Sequence, residues 1–279
     1  MTLARLEFRL PSPWLRDIVR QHQVIRLNFA PGDPVPPKPY WPRPAAAPAF
    51  YLRSPETVRA AGAAAVTKPR AVLIGQPTVV TWRQGGHDFA VYQIEFQPGA
   101  LHRLTGILAQ DLTDGWIDAE AVLPASFRAL VRQLEDLADG DAEAMIAAAE
   151  AWLWAAWSRV GREARAVDLA ARWLIDDPGI GIDRVAGRLS LSARHVRRVF
   201  PERIGVSPKL LARVARFDSL VRARNRAPEE DWLTAAVWAG YYDYQHLRRD
   251  FHQFTLLGPT EFLAMEQAAP ERGFGLREV

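Results

Sequence analysis

The chain has 279 residues, a formal net charge of +3, 49% hydrophobic and 24% charged residues, which is long enough for two ordinary domains and balanced as folded globular proteins are. It holds no cysteine, so disulfides, thiolate metal sites and cysteine nucleophiles are excluded. No apolar run approaches the roughly 18 residues of a membrane span, and the N-terminus MTLARLEFRLPSPW lacks the apolar stretch of a secretory signal, so a cytoplasmic location and no membrane partner are expected.

In chain order, SPWLRDIVR at 12–20 reads as a short helix, with Ser12 as its cap and proline in the first turn. VIRLNF at 24–29 reads as a strand. Residues 31–48, PGDPVPPKPYWPRPAAAP, carry too many prolines for a helix or an inner strand, because each proline lacks the donor a ladder needs. From residue 71 the pattern is strand-like: AVLIG, then TVVTWRQ, a Gly85-Gly86 turn, and DFAVYQIEF. The last two strands are expected to form an antiparallel hairpin.

After Pro98-Gly99 the chain turns helical. FRALVRQLEDLA sets Phe127, Leu130, Val131, Leu134 and Leu137 at helical spacing. DAEAMIAAAEAWLWAAWSRV at 141–160 is a helix bearing Trp152, Trp154 and Trp157. Three rings in six residues cannot share one small core; two suit packing, and the third suits a subunit interface, where aromatics are enriched.

The basic excess lies towards the C-terminus, since residues 162–265 hold 17 Lys and Arg against 13 Asp and Glu, a net of +4, leaving −1 for the remainder. Within this part a segment occurs twice at a constant offset of 51 residues. Ser192 matches Asp243, His195 matches His246, Arg198 matches Arg249, Phe200 matches Phe251 and Pro208 matches Pro259. Ser192 and Asp243 are strong N-cap types, so each copy declares a helix start at the same place. At about 100° per residue, Arg194, Arg197 and Arg198 fall opposite Val196, Val199 and Phe200; in the second copy Gln245, Arg248 and Arg249 fall opposite Leu247 and Phe251. RVAGRL at 184–189 and LTAAVWA at 233–239 supply a short apolar helix before each copy. The pattern is helix, tight turn, helix, twice, with Leu210, Val214, Phe217 and Val221 marking a buried helix between the units.

Arginine and glutamine at the start of a helix suit the DNA major groove, where Arg reads guanine and Gln reads adenine in bidentate fashion. A solvated charged face is the ordinary fate of such residues, and the in-register repeat weighs against it. The candidate DNA-contact residues are Arg194, His195, Arg197 and Arg198 in the first helix (192–203), and Tyr244, Gln245, His246, Arg248 and Arg249 in the second (243–254). The two histidines lie at the edge of the face.

These stretches resemble the AraC/XylS transcription regulators. SARHVRRVFPERIGVSPKLL (192–211) is similar to their first recognition helix with its Gly-x-Ser-Pro turn, and AGYYDYQHLRRDFHQFTLLGPTEF (239–262) to their second unit; the likeness covers about 166–265. FQPGALHRLTG at 96–106 is more loosely similar to the cupin-like sensor domains fused to such regulators. The resemblance implies an α+β chain: a β-rich, barrel-like (cupin-like) sensor and dimerisation domain at 1–160, helical from 101, then an all-α double helix-turn-helix domain at 166–265 and a tail at 266–279. It also implies double-stranded DNA as partner, with a small-molecule effector, RNA polymerase and a second copy of the chain as further candidates. Two departures stand out. Pro201 falls inside the first recognition helix, where it is expected to kink or end it. Leu256 and Gly258 replace the glycine and serine of the turn, and leucine tolerates a left-handed cap poorly.

The alternative is a cupin-type enzyme with an accessory nucleic-acid-binding domain. Its histidines, His22, His87 and His102, include no close pair able to chelate a metal, and no phosphate loop, G-x-S-x-G elbow or H-E-x-x-H is present. The expectation is a regulator without catalytic residues, metal or cofactor.

Overall fold

The computed structural model describes residues 3–160, 163–227 and 232–269. Its strands are β1 (Leu3–Arg9), β2 (Val19–Asn28), β3 (Lys38–Tyr40), β4 (Ala47–Tyr51), β5 (Thr57–Ala60), β6 (Val66–Thr67), β7 (Ala71–Ile74), β8 (Thr81–Gln84), β9 (Asp88–Phe96) and β10 (Trp116–Asp118). They pair antiparallel in two sheets, ordered β1-β2-β9-β4-β7-β10 and β3-β8-β5-β6. No ladder joins the sheets among the described residues, so the barrel stays open.

The helices of this part are α1 (Ala100–Thr105), α2 (Ala119–Val122), α3 (Ala125–Asp136) and α4 (Ala142–Val160). They cover one face of the large sheet, where Phe50, Tyr92 and Phe96 pack with Leu101, Phe127, Leu134, Met145 and Leu153. The opposite face puts Tyr51, Val72, Phe89 and Val91 into a second cluster. Covering on both faces explains why β4 and β7 are buried at every position instead of alternating.

Three expectations fail here. The helix at 12–20 is only a 3₁₀ turn, Pro13–Leu15. Ser12 does not cap it; its hydroxyl and backbone N–H both donate to Glu150 on α4, and Val19 already pairs with Phe96. The hairpin across Gly85-Gly86 does not form either. β9 is flanked by β2 and β4, and β8 by β3 and β5, because DFAVYQIEF is apolar on both faces and belongs in the middle of the covered sheet. The proline-rich segment does form strand: β3 lies on the edge of the small sheet where a missing donor is tolerated, but Ala47 and Pro48 open β4, an inner strand of the large sheet, opposite Ile74 and Leu73.

The C-terminal part is helical: α5 (Ala166–Asp176), α6 (Ile182–Arg188), α7 (Ala193–Ile204), α8 (Pro208–Arg226), α9 (Trp232–Trp238), α10 (Tyr244–Thr255) and α11 (Pro259–Gln267). α8 is shared between two apolar clusters. Leu211 and Ala212 join Val167, Leu174, Val185, Val196 and Phe200, whereas Val214, Phe217, Leu220 and Val221 join Leu247, Phe251, Phe254 and Phe262. Each helix-turn-helix unit thus has its own core, and α8 spans both.

A polar and close-packed seam ties the first unit to the N-terminal part. Thr113 Oγ1 donates to the Gly205 carbonyl at 2.6 Å, and Arg172 donates to the Asp17 carbonyl at 2.6 Å and to its carboxylate at 3.1 Å. Gly99, at φ +79°, sits so close to Asp168 that a Cβ there would lie 2.2 Å from Oδ1.

Candidate nucleic-acid interface

The two repeat helices begin alike. Ser192 Oγ accepts from the His195 N–H at 3.1 Å, and Asp243 Oδ1 from the His246 N–H at 2.6 Å, which satisfies a free donor of each first turn. On α7, Val196, Val199 and Phe200 are buried while Arg194, His195, Arg197 and Arg198 are exposed; on α10, Leu247, Asp250 and Phe251 are buried while Tyr244, Gln245, Arg248 and Arg249 are exposed. The outward arginine and glutamine faces expected from the spacing are present in both copies. His246 departs from that face: it is half-buried, edge-on to the Tyr241 ring at 5.7 Å. Arg197 lies 3.6 Å from the Asp183 carboxylate, an exposed pair that water screens and that leaves the guanidinium free to change partner.

α7 and α10 are each braced by a buried carboxylate. In the first unit Asp168, fully enclosed, accepts from Arg203 Nε and Nη2 at 2.7 and 2.6 Å and from the Arg165 N–H at 3.0 Å, joining α5 to the end of α7. In the second, Asp250 on α10 accepts from Arg213 Nε at 2.9 Å on α8 and from the Tyr241 hydroxyl at 3.2 Å. Burial, then the Asp250 charge, pushes the Tyr241 hydroxyl up, so it remains a donor.

The two departures resolve differently. α7 does not end at Pro201; it continues to Ile204 and closes on Gly205 in the left-handed region, whose N–H donates to the Pro201 carbonyl at 2.9 Å. Leu256 takes the equivalent place in the second unit at φ +62°. Without a serine at 258, the Gly258 N–H is capped by the Glu261 carboxylate at 2.8 Å, where Ser207 caps the Leu210 N–H in the first unit.

A second feature lies between the two sheets. A cavity of about 230 Å³ is walled by Leu27, Phe29 and Phe89 from the large sheet side, by Tyr40 and Arg83 from the small one, and by Met265 of α11. The Arg83 guanidinium stacks 3.7 Å from the Tyr40 ring centre, and its Nε is sealed from solvent without a hydrogen-bond partner. Behind it, Lys68 Nζ donates to Glu56 at 2.6 Å and to the Tyr51 hydroxyl at 2.9 Å, and that hydroxyl donates to Glu56 at 2.7 Å. Burial, reinforced by repulsion from Arg83, brings the Lys68 ammonium down to about 8 against the pull of Glu56. Burial alone would raise the Glu56 carboxyl, yet Arg83 and Lys68 together hold it below its ordinary range. Neither Arg83 nor Trp41, a buried ring described below, was singled out from the sequence; an aromatic pair inside a proline-rich loop was the available signal.

The N-terminal histidines do not converge. His22 is enclosed between the Tyr92 hydroxyl at 2.8 Å and Glu150 at 3.2 Å, His87 contacts the Asp33 carbonyl and His102 the Ile107 carbonyl. Among the described residues no cluster of three or more His, Cys, Asp or Glu could hold a metal, and no helix is long and apolar enough to cross a membrane.

No protein-family model and no curated relative matches the chain. Among solved structures, ToxT from Vibrio cholerae matches over 88% of this chain and 98% of its own, at 10% identity and a TM-score of 0.50. Its fold is that of ToxT. A second ToxT structure, from Vibrio cholerae O395, covers 91% of this chain and 100% of its own at 11% identity, TM-score 0.49. The AraC-like transcriptional activator CuxR covers 82% and 91% at 13% identity, with a TM-score of 0.31 that is too low to bear on the fold. ToxT is an AraC family regulator, so the two-part α+β architecture implied by the AraC/XylS resemblance is the architecture found.

Proposed function

We propose that the chain is a DNA-binding transcription regulator of the AraC/XylS kind, reading two successive major-groove segments, one with α7 and the next with α10. The observation that carries this reading is the pair of identically capped helices, each showing an arginine-rich face to solvent from a separate core. Arg194, Arg197 and Arg198 contact the first segment, and Tyr244, Gln245, Arg248 and Arg249 the second; His195 sits at the rim, and His246 serves as packing for Tyr241. Selection from a pool of random duplexes tests it. The expected result is a motif in two parts spaced by about one helical turn, roughly 10 bp; an enriched pool with no shared motif refutes the reading.

Control by an effector is part of the same proposal, with the cavity between the sheets as its site. It is larger than the ~150 Å³ apolar cavity known to hold a benzene ring. Arg83 and Lys38 in the wall and Lys68 behind it, against Glu56 and Glu266, leave one net positive charge around the cavity, which suits a small apolar monoanion. Calorimetry with cinnamate should show binding that cinnamyl alcohol lacks and that Arg83→Met removes; equal binding of the two compounds refutes this assignment without touching the DNA reading. On α4, Trp152 and Trp157 pack against the core and Trp154 is 51% exposed, which makes Trp154 the candidate anchor for a homodimer. Sedimentation of the full chain and of Trp154→Ser separates dimer from monomer.

A further inference from the structure

Trp41 belongs by sequence to the N-terminal part, yet its indole is only 3% exposed and lies inside the core of the second helix-turn-helix unit. It meets Phe262 of α11 edge to face, with ring centres 5.3 Å apart, and Phe262 in turn meets Phe251 of α10 at 5.4 Å. Phe251 is fully buried on the inward side of α10, while Arg248 and Arg249 are exposed. A run of two ring contacts therefore leads from a loop of the N-terminal part to the back of the second recognition helix.

The other end of that loop walls the cavity. Val35 to Tyr40 line it, and β3 fixes this stretch to β8 with Lys38 opposite Arg83 and Tyr40 opposite Thr81. Pro36, Pro37 and Pro39 each lock φ, so the segment transmits displacement as a stiff strap instead of absorbing it. Arg43 lies over both Tyr40 and Trp41, at 4.8 and 5.7 Å, and holds the two rings in one arrangement. α11 closes the loop of contacts: Phe262 faces Trp41, while Met265 and Glu266, three and four residues on and thus on the same side of the helix, line the cavity.

We propose that Trp41 is a positioning residue for DNA reading: it sets the orientation of α10 through Phe262 and Phe251, and the strap 35–41 couples it to the contents of the cavity. This rests on the proposed DNA-reading function and goes beyond it, because it assigns the second unit as the one whose fit changes with the contents of the cavity.

The test uses the full chain and the two-part DNA selected by the wild type. Wild-type affinity is measured on the intact site, on a site scrambled in the first segment and on one scrambled in the second, each scrambling costing about tenfold or more. In Trp41→Ala the penalty for scrambling the second segment should fall to about threefold or less while that for the first is kept. Trp41→Phe, which restores a ring against Phe262, should recover most of the lost discrimination. Circular dichroism confirms that the helices persist; where Trp41→Ala does not fold, Trp41→Phe and the loosened strap Pro39→Gly carry the comparison. Unchanged discrimination in the folded variants overturns the proposal. Equal loss at both segments also overturns it, since that is the signature of general destabilisation. A wild type that selects no two-part site refutes the DNA-reading function itself, a failure recognisable before any variant is made.

Discussion

Replacing Arg203 by methionine keeps the bulk of the side chain and removes two charge-assisted donors from Asp168. Asp168 is fully enclosed and would keep only the Arg165 backbone N–H among its described partners, at 3.0 Å. Stranding a buried carboxylate in this way costs about 3–5 kcal/mol; the Arg103 guanidinium lies near enough to interact with Asp168, so the lower end is expected. Against a typical total of about 5–15 kcal/mol, this loosens α7 from α5 at physiological temperature while leaving every outward arginine in place. Urea unfolding followed by far-UV circular dichroism reads the loss. The double variant Asp168→Leu with Arg203→Met removes the charge along with its partner and should regain at least half of it. A single-variant cost under about 1 kcal/mol, or a double variant no more stable than the single, refutes the reasoning that the carboxylate depends on Arg203.

Other outcomes follow from particular residues. Leu256→Gly relieves a side chain held at φ +62° and should stabilise the second unit by about 1 kcal/mol, read as a raised thermal midpoint; no change would mean the turn is unstrained. Pro201→Ala gives α7 the missing N–H and should stabilise it, by up to ~3 kcal/mol, with the selected DNA motif unchanged; a changed motif would mean that the proline aims the helix. Arg194→Ala and Gln245→Ala should each cost about 1–3 kcal/mol on the matching segment alone, in competition binding with segment-scrambled duplexes; uniform weakening would make the residue a phosphate contact. Lys68 gives up its proton near pH 8 in the fold and near 10.5 when unfolded, so between those values the unfolded chain binds more protons and stability should rise, by about 2 kcal/mol from pH 8 to 10. Tyr51, kept protonated by burial and by Glu56, opposes the rise only above pH 10. Urea midpoints at pH 7.5 and 9.5 measure the rise, which Lys68→Met should abolish.

The C-terminal half was legible because its signals are local. A cap type, an apolar spacing of three and four, and the repetition of both at one offset each specify a helix and its buried side without knowledge of distant chain, and α7, α8 and α10 follow them. The N-terminal half was legible only as strands. β8 and β9 are adjacent in sequence and separated by Gly85, Gly86 and His87, an ordinary hairpin signal, yet they enter different sheets, since the partners of β9 are β2 and β4, more than 30 residues away. Ser12 and Pro13 carry a helix-start signal, but Glu150, distant in sequence, captures the serine. Trp41 was hidden for the same reason: nothing within the proline-rich loop reports that its ring will complete a core built by residues 214–262.

The two helix-turn-helix units are alike in design and unlike in attachment, and the difference bears on how a signal could travel. The first is fixed by short polar contacts and by glycines at points of close approach. Thr113 donates to the Gly205 carbonyl, Arg172 grips Asp17, and Gly99 touches Asp168; a displacement at any of these loses a hydrogen bond or creates a clash, so these contacts resist movement of the first unit. The second is held by an apolar plug, Trp41, and by α11, whose next turn lines a cavity. Apolar contacts are non-directional and tolerate sliding, and the strap and α11 form the part of the cavity wall that the proposal couples to α10. Under the proposed DNA reading, this asymmetry would let the chain keep one segment of DNA while changing its grip on the next, with Trp41 as the point through which the second unit is aimed.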